Sequence, residues 1–130
     1  MLADTTFLID IMANNASAIS KARELEHRGV AILVGAPTIF ELYVGVSLSN
    51  KALEEKSKIV STAASLPQLH LDYESARAGA EIYVERLKAG FRIDVEDAMI
   101  AGIAKTRGET VITRNARHFA NIESLRVESY

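Results

Sequence analysis

Met1-Leu2-Ala3-Asp4-Thr5-Thr6-Phe7-Leu8-Ile9-Asp10 is the stretch that decides the fold. An apolar start runs straight into an acid, the pattern of a buried first strand that ends at a carboxylate. In open α/β sheets the strand ends form the edge where ligands bind, so Asp4 is a candidate site residue. Asp10 lies beyond it, near the end of a short helix expected over Thr6–Met12, and reads as a solvated surface acid.

The 130 residues are enough for one domain that buries a core without staples, and a single domain over residues 1–130 is expected. Apolar residues at 48% and charged residues at 25% fit a globular chain and exclude a disordered one. Cysteine is absent, which removes disulfides and thiolate metal sites and suits a reducing compartment. With no membrane-length apolar run and no basic leader pattern, the expectation is a soluble, cytoplasmic protein without a membrane partner. A net charge of −2 argues against indiscriminate coating of nucleic acid, while leaving room for a local basic rim.

Beyond the first helix, Ser17 is a suitable N-cap for a helix from Ala18 to about His27, closed by Gly29. Val30-Ala31-Ile32-Leu33-Val34 reads as a second buried strand. Pro37 then opens a helix to about Asn50, and a further helix runs from Ala52 to Ala64. Gln68–Leu71 is a short strand, and Asp72 caps a helix to about Ala89. Asp94 caps the next helix, Val95 to about Thr106, closed by Gly108. Thr110–Thr113 is a β-branched strand, followed by a loop or single turn over Arg114–Ala120 and an edge strand over Leu125–Glu128. This alternation predicts an α/β fold, a three-layer α/β/α sandwich around a mostly parallel sheet of four to five strands.

Two further acids stand where Asp4 does, at the start of buried elements. Glu41 sits in Pro37-Thr38-Ile39-Phe40-Glu41-Leu42-Tyr43-Val44-Gly45-Val46, a helix apolar on almost every side and expected to be buried all round. Thr38-x-x-Glu41 also matches a capping box, so a capping role and a site role both stand. Asp97 falls in the first turn of the helix that Asp94 opens, where the helix dipole favours an acid. His27 and His70 lack the spacing of a zinc site, and His118 is ambiguous. Three carboxylates converging without cysteine make a hard oxygen site suited to Mg²⁺ or Mn²⁺, ions that act on phosphate esters.

On the residues Asp4-Thr5, Thr38-x-x-Glu41-Leu42-x-x-Gly45, Asp97-Ala98-x-Ile100-Ala101 and Val111-Ile112-Thr113-Arg114-Asn115-x-x-His118-Phe119, the sequence resembles the PIN-domain family, and in particular its VapC-type toxins. The resemblance implies a metal-dependent ribonuclease in which Asp4, Glu41 and Asp97 hold the ion. Many members carry a fourth acid where this chain has Asn115, and an amide brings no charge, so one well-held ion is expected. Thr5 and Thr113 match hydroxyl positions beside the acids, although Thr113 also suits a strand end. Arg114 and Arg117 are candidates for RNA-backbone contacts or for plain surface charge.

The resulting expectation is an Mg²⁺- or Mn²⁺-dependent endoribonuclease, the toxin of a VapBC-type pair, hydrolysing RNA phosphodiesters with a metal-activated water. A small antitoxin and a second copy of the chain are the expected protein partners, with the apolar helices between Pro37 and Leu66 offering the surface. The alternative is a PIN-like module that binds RNA or protein without cleaving. A haloacid-dehalogenase-type phosphatase is disfavoured by the absence of D-x-D at Asp4, and no Walker-type phosphate loop is present.

Overall fold

The computed structural model describes residues 1–130. Strands β1 (Leu2–Ala3), β2 (Leu33–Gly35), β3 (Gln68–Leu69), β4 (Thr110–Ile112) and β5 (Arg126–Glu128) form one sheet in the order β3-β2-β1-β4-β5. Every pairing is parallel, with Leu2 opposite Leu33 and Val111. The first strand is therefore the centre of the sheet. Six helices flank it: α1 (Thr5–Met12), α2 (Ala16–His27), α3 (Ala36–Ser47), α4 (Ala52–Thr62), α5 (Tyr73–Lys88) and α6 (Val95–Arg107). A 3₁₀ turn over Ala116–His118 separates β4 from β5.

Successive strand residues point to opposite faces, and the core divides accordingly. Leu2 and Val111 pack with Ile82, Ile100 and Ile103 of α5 and α6. Ala3, Val34 and Ile112 pack with Phe7, Leu8, Leu25, Leu42 and Ile59 of α1 to α4. The three layers expected from the sequence are present, with the sheet wholly rather than mostly parallel. No helix is long and apolar enough to cross a membrane.

Several local expectations are corrected. Val30–Ile32 lie outside β2. Gly29, at φ +66°, turns the chain out of α2, and the Val30 N–H bonds back to the Leu25 carbonyl at 2.9 Å, so pairing begins only at Leu33. The N-cap of α2 is Asn15, not Ser17, because the Asn15 side chain accepts from the backbone N–H groups of Ser17 and Ala18. Helix α3 is not buried all round: Phe40, Tyr43 and Val44 are exposed, while Leu42 and Val46 face the core. It ends at Ser47, before Asn50.

The topology fixes where a site can form. From β1 the chain crosses outward through β2 to β3, then returns past β1 to β4 and on to β5. Connections leaving β1 and β4 thus diverge, and the C-terminal ends of these two neighbours border the crevice that such a reversal opens. Asp4 and Thr113 are the residues immediately after those strands.

Candidate metal centre

Asp4 occupies the N-cap position of α1 in an extended conformation, yet its side chain does not cap the helix. Its Oδ2 instead accepts hydrogen bonds from the hydroxyls of Thr6 and Thr113, each at 2.7 Å. The first comes from the opening turn of α1 and the second crosses the sheet from the end of β4. Asp4 itself is only 3% exposed, so these donors offset much of the cost of burying its charge.

Glu41 lies on α3, partly buried, and its Oε2 accepts from the Thr5 hydroxyl. The capping-box alternative is removed: Gly35 is the N-cap of α3, and the Thr38 hydroxyl donates to the Ala3 carbonyl at 3.3 Å. Asp97, in the first turn of α6, pairs through Oδ2 with Nδ1 of His118 at 2.9 Å. His118 is carried by the 3₁₀ turn, whose exit is tied down where Arg86 Nη1 donates to the Ala120 carbonyl at 2.7 Å.

A common pattern joins the three acids. Each is anchored through one carboxylate oxygen, and the other oxygen takes no hydrogen bond from the chain. Their charges act on one another. Burial raises the Asp97 pKa from its ordinary 3.8 to about 6, with the Asp4 and Asp94 charges adding to the rise and His118 opposing it. Burial likewise raises Glu41, where the Thr5 hydrogen bond opposes and the charges of Asp97, Asp4 and Glu96 add. Donor atoms of Asp94, Asp97 and His118 lie within 4.8 Å of one another; Asp4 and Glu41 act on this group across a longer gap. Asp94, although placed at the N-cap of α6, makes no capping bond with its side chain. Such a concentration of hard oxygen donors, two of them pushed toward the neutral form, can hold a divalent cation.

The remaining sequence candidates spread around this centre. Asn115 donates its backbone N–H to the Thr113 hydroxyl at 2.9 Å, closing the corner after β4. Arg117 is exposed and forms no ion pair. Arg114 pairs with Asp10, with Nη1 at 2.8 and 2.9 Å from its two oxygens. Asp10 is therefore not a solvated surface acid: it is 6% exposed and also accepts from the Tyr130 hydroxyl at 2.8 Å. Its partners lie more than a hundred positions along the chain, beyond the reach of any local pattern. Thr6 was not among the sequence candidates, although an acid at an N-cap brings the hydroxyl two residues on within its reach.

A family model, PIN domain, matches residues 1–125. The chain belongs to the PIN-domain family. Among curated relatives it is 26% identical over 129 residues to the tRNA(fMet)-specific endonuclease VapC of Shigella flexneri, covering 99% of this chain and 96% of that protein. A second VapC endonuclease of the same description, from Salmonella typhimurium, is 27% identical with the same coverage. Among solved structures, a chain of DNA-bound VapBC from Salmonella typhimurium matches at a TM-score of 0.86 and 26% identity, over 98% of this chain and 96% of that one. The PIN fold is shared as closely with a chain of VapBC2 from Rickettsia felis bound to a promoter DNA fragment, at a TM-score of 0.87 and 22% identity, over 99% and 97% of the two chains.

Proposed function

We propose that this PIN-domain chain is an Mg²⁺- or Mn²⁺-dependent endoribonuclease, the toxin of a VapBC-type pair acting in the cytoplasm, with Asp4, Glu41 and Asp97 as its metal ligands. The observation that carries the reading is the one-oxygen anchoring of all three acids, which fixes each carboxylate while leaving its second oxygen free. The donor set fits a hard divalent ion. Such an ion supplies positive charge to the scissile phosphate and lowers the pKa of water.

The chain's own residues do the positioning. Thr6 and Thr113 orient Asp4, Thr5 orients Glu41, and His118 orients Asp97. Asn115 closes the corner that carries Thr113, and its uncharged side chain favours one ion over two. The two curated relatives are described as tRNA(fMet)-specific, which makes transfer RNA the first substrate to assay. Cleavage with Mg²⁺ or Mn²⁺ that a chelator abolishes is the expected result, and no cleavage with either ion ends the reading. Exposed Phe40 and Val44 on α3, Leu48 just past its end, and Leu53 and Val60 on α4 support a protein partner there, an antitoxin or a second copy of the chain.

Removing a positioning donor lowers rate without removing a ligand. Thr113→Val and His118→Ala are each expected to slow cleavage by about 10- to 100-fold. Single-turnover rates at saturating Mn²⁺ check this, and rates equal to the parent chain would show that these contacts do not serve the site.

The raised Asp97 pKa gives a pH signature with a definite sign. Between its ordinary 3.8 and about 6 the folded chain binds more protons than the unfolded chain, so metal-free stability falls as pH rises through that window. The share due to Asp97 is on the order of 3 kcal/mol at most. Cations compete with those protons, so the rise in Tm on adding Mn²⁺ is expected to grow from about pH 5 to about pH 7.5. A Tm shift that does not vary with pH would remove Asp97 from the ligand set.

A further inference from the structure

Asp10 takes no part in the metal centre, yet it is among the most carefully satisfied acids in the chain. A carboxylate this deeply buried needs partners, and both of its oxygens have them: Arg114 Nη1 bonds Oδ1 and Oδ2, and the Tyr130 hydroxyl donates to Oδ2. The Tyr130 ring packs edge-on against the buried Phe7, centroids 4.9 Å apart at 70°, which fixes the hydroxyl. Burial also raises the Tyr130 pKa, keeping the hydroxyl a donor.

The arginine on the other side of the pair is not buried. Its side chain is 54% exposed, and the pairing uses Nη1 alone, leaving Nη2 and Nε as free donors. Its backbone is fixed as well: the Arg114 N–H donates to the Thr6 hydroxyl at 3.3 Å, the same hydroxyl that donates to Asp4. Helix α1 therefore carries Asp4 at one end and the anchor of Arg114 near the other. An ion pair with one partner in solvent adds little net stability by itself. What this one achieves is orientation, holding a half-exposed fork of donors one residue beyond Thr113. Asp4, Glu41, Asp94, Glu96 and Asp97 give this region a negative field that repels RNA, and an oriented arginine counters it.

We propose that Asp10, braced by Tyr130, is a positioning residue that presents Arg114 to a phosphate of the RNA backbone beside the cleavage site. This rests on the ribonuclease reading for its ligand, but it can be measured without cleavage. Binding of a fluorescently labelled transfer RNA is followed in a chelating buffer for the parent chain, Asp10→Ala, Arg114→Ala and the double variant. Arg114→Ala is expected to weaken binding by about tenfold. It is also expected to lower the salt dependence of log affinity by roughly 0.7, one phosphate contact on a single strand.

Asp10→Ala is expected to weaken binding to a similar extent, and the double variant to be no weaker than Arg114→Ala alone, because the acid acts only through the arginine. In cleavage the loss should fall on KM, with kcat within about twofold of the parent. Should Asp10→Ala fail to fold, Tyr130→Phe serves instead: it should weaken binding modestly, and not at all in the Arg114→Ala background. Unchanged or tighter binding by Asp10→Ala overturns the proposal, as do losses that multiply in the double variant, or a parent chain that does not bind RNA. A parent chain that binds RNA and shows the coupling but cleaves nothing leaves this assignment standing and removes the ribonuclease reading.

Discussion

Asp4→Asn is expected to cut metal-dependent RNA cleavage by about a thousandfold, the equivalent of ~4 kcal/mol of transition-state stabilisation. The replacement is close to isosteric, and its amide oxygen can still accept the Thr6 and Thr113 hydroxyls that now converge on Oδ2. The corner between β1 and β4 is therefore kept, while the open position of the carboxylate becomes an NH₂ group that cannot ligate a cation. Rates should be compared at matched folded fraction, with the Mn²⁺-induced rise in Tm as a second readout. Loss of cleavage together with loss of that Tm shift is the expected pair of results. Cleavage within tenfold of the parent would rule out Asp4 as a ligand and point to a contaminating nuclease.

Gly102→Ala is the substitution expected to damage the fold most. A Cβ at Gly102 would lie 2.3 Å from the Ser75 carbonyl oxygen, 2.6 Å from the Gly79 nitrogen and 2.8 Å from the Gly79 Cα. All three are backbone atoms of α5, so no rotamer change can relieve the clash. Gly79 makes the reciprocal approach, its position for a Cβ being 2.9 Å from the Ala98 carbonyl of α6. The helices must move apart, opening the core formed by Ile82, Ile100 and Ile103 and displacing the turn that carries Asp97. A cost of about 3 kcal/mol or more is expected, lowering Tm by on the order of 10 °C. Gly45, exposed on α3 with nothing within 4 Å of its added Cβ, is the matched control. Gly45→Ala should stabilise the chain by about 0.5–1 kcal/mol. Equal thermal stability of Gly102→Ala and the parent would show that α5 and α6 do not approach this closely.

Much of this architecture can be read from short-range patterns. The Asp72 N-cap holds, with Ser75 completing a capping box, since a cap involves only residues three apart. The strand-end position of Asp4 follows from an apolar run meeting an acid. Two other local expectations lose to an equally local competitor: Asn15, two residues before Ser17, takes the cap of α2, and the closing turn of α2 draws Val30 out of the sheet. Glu41 had two readings in sequence, and the Thr5 hydroxyl, thirty-six positions away, is what separates them.

The kinds of element and their order follow from the sequence, because periodicity, caps and turn residues act over a few positions; Glu41, expected at the start of its helix, lies at its middle. Tertiary structure alone decided which carboxylate oxygen is anchored and which is free, and that His118 belongs to Asp97. It also decided that Asp10 is a buried partner of Arg114 and Tyr130 rather than a solvated charge. The physical reason lies in the sheet. With β1 at its centre, residues separated by up to 120 positions meet at one edge, and the pairing of buried polar groups is settled by that convergence, not by any pattern along the chain.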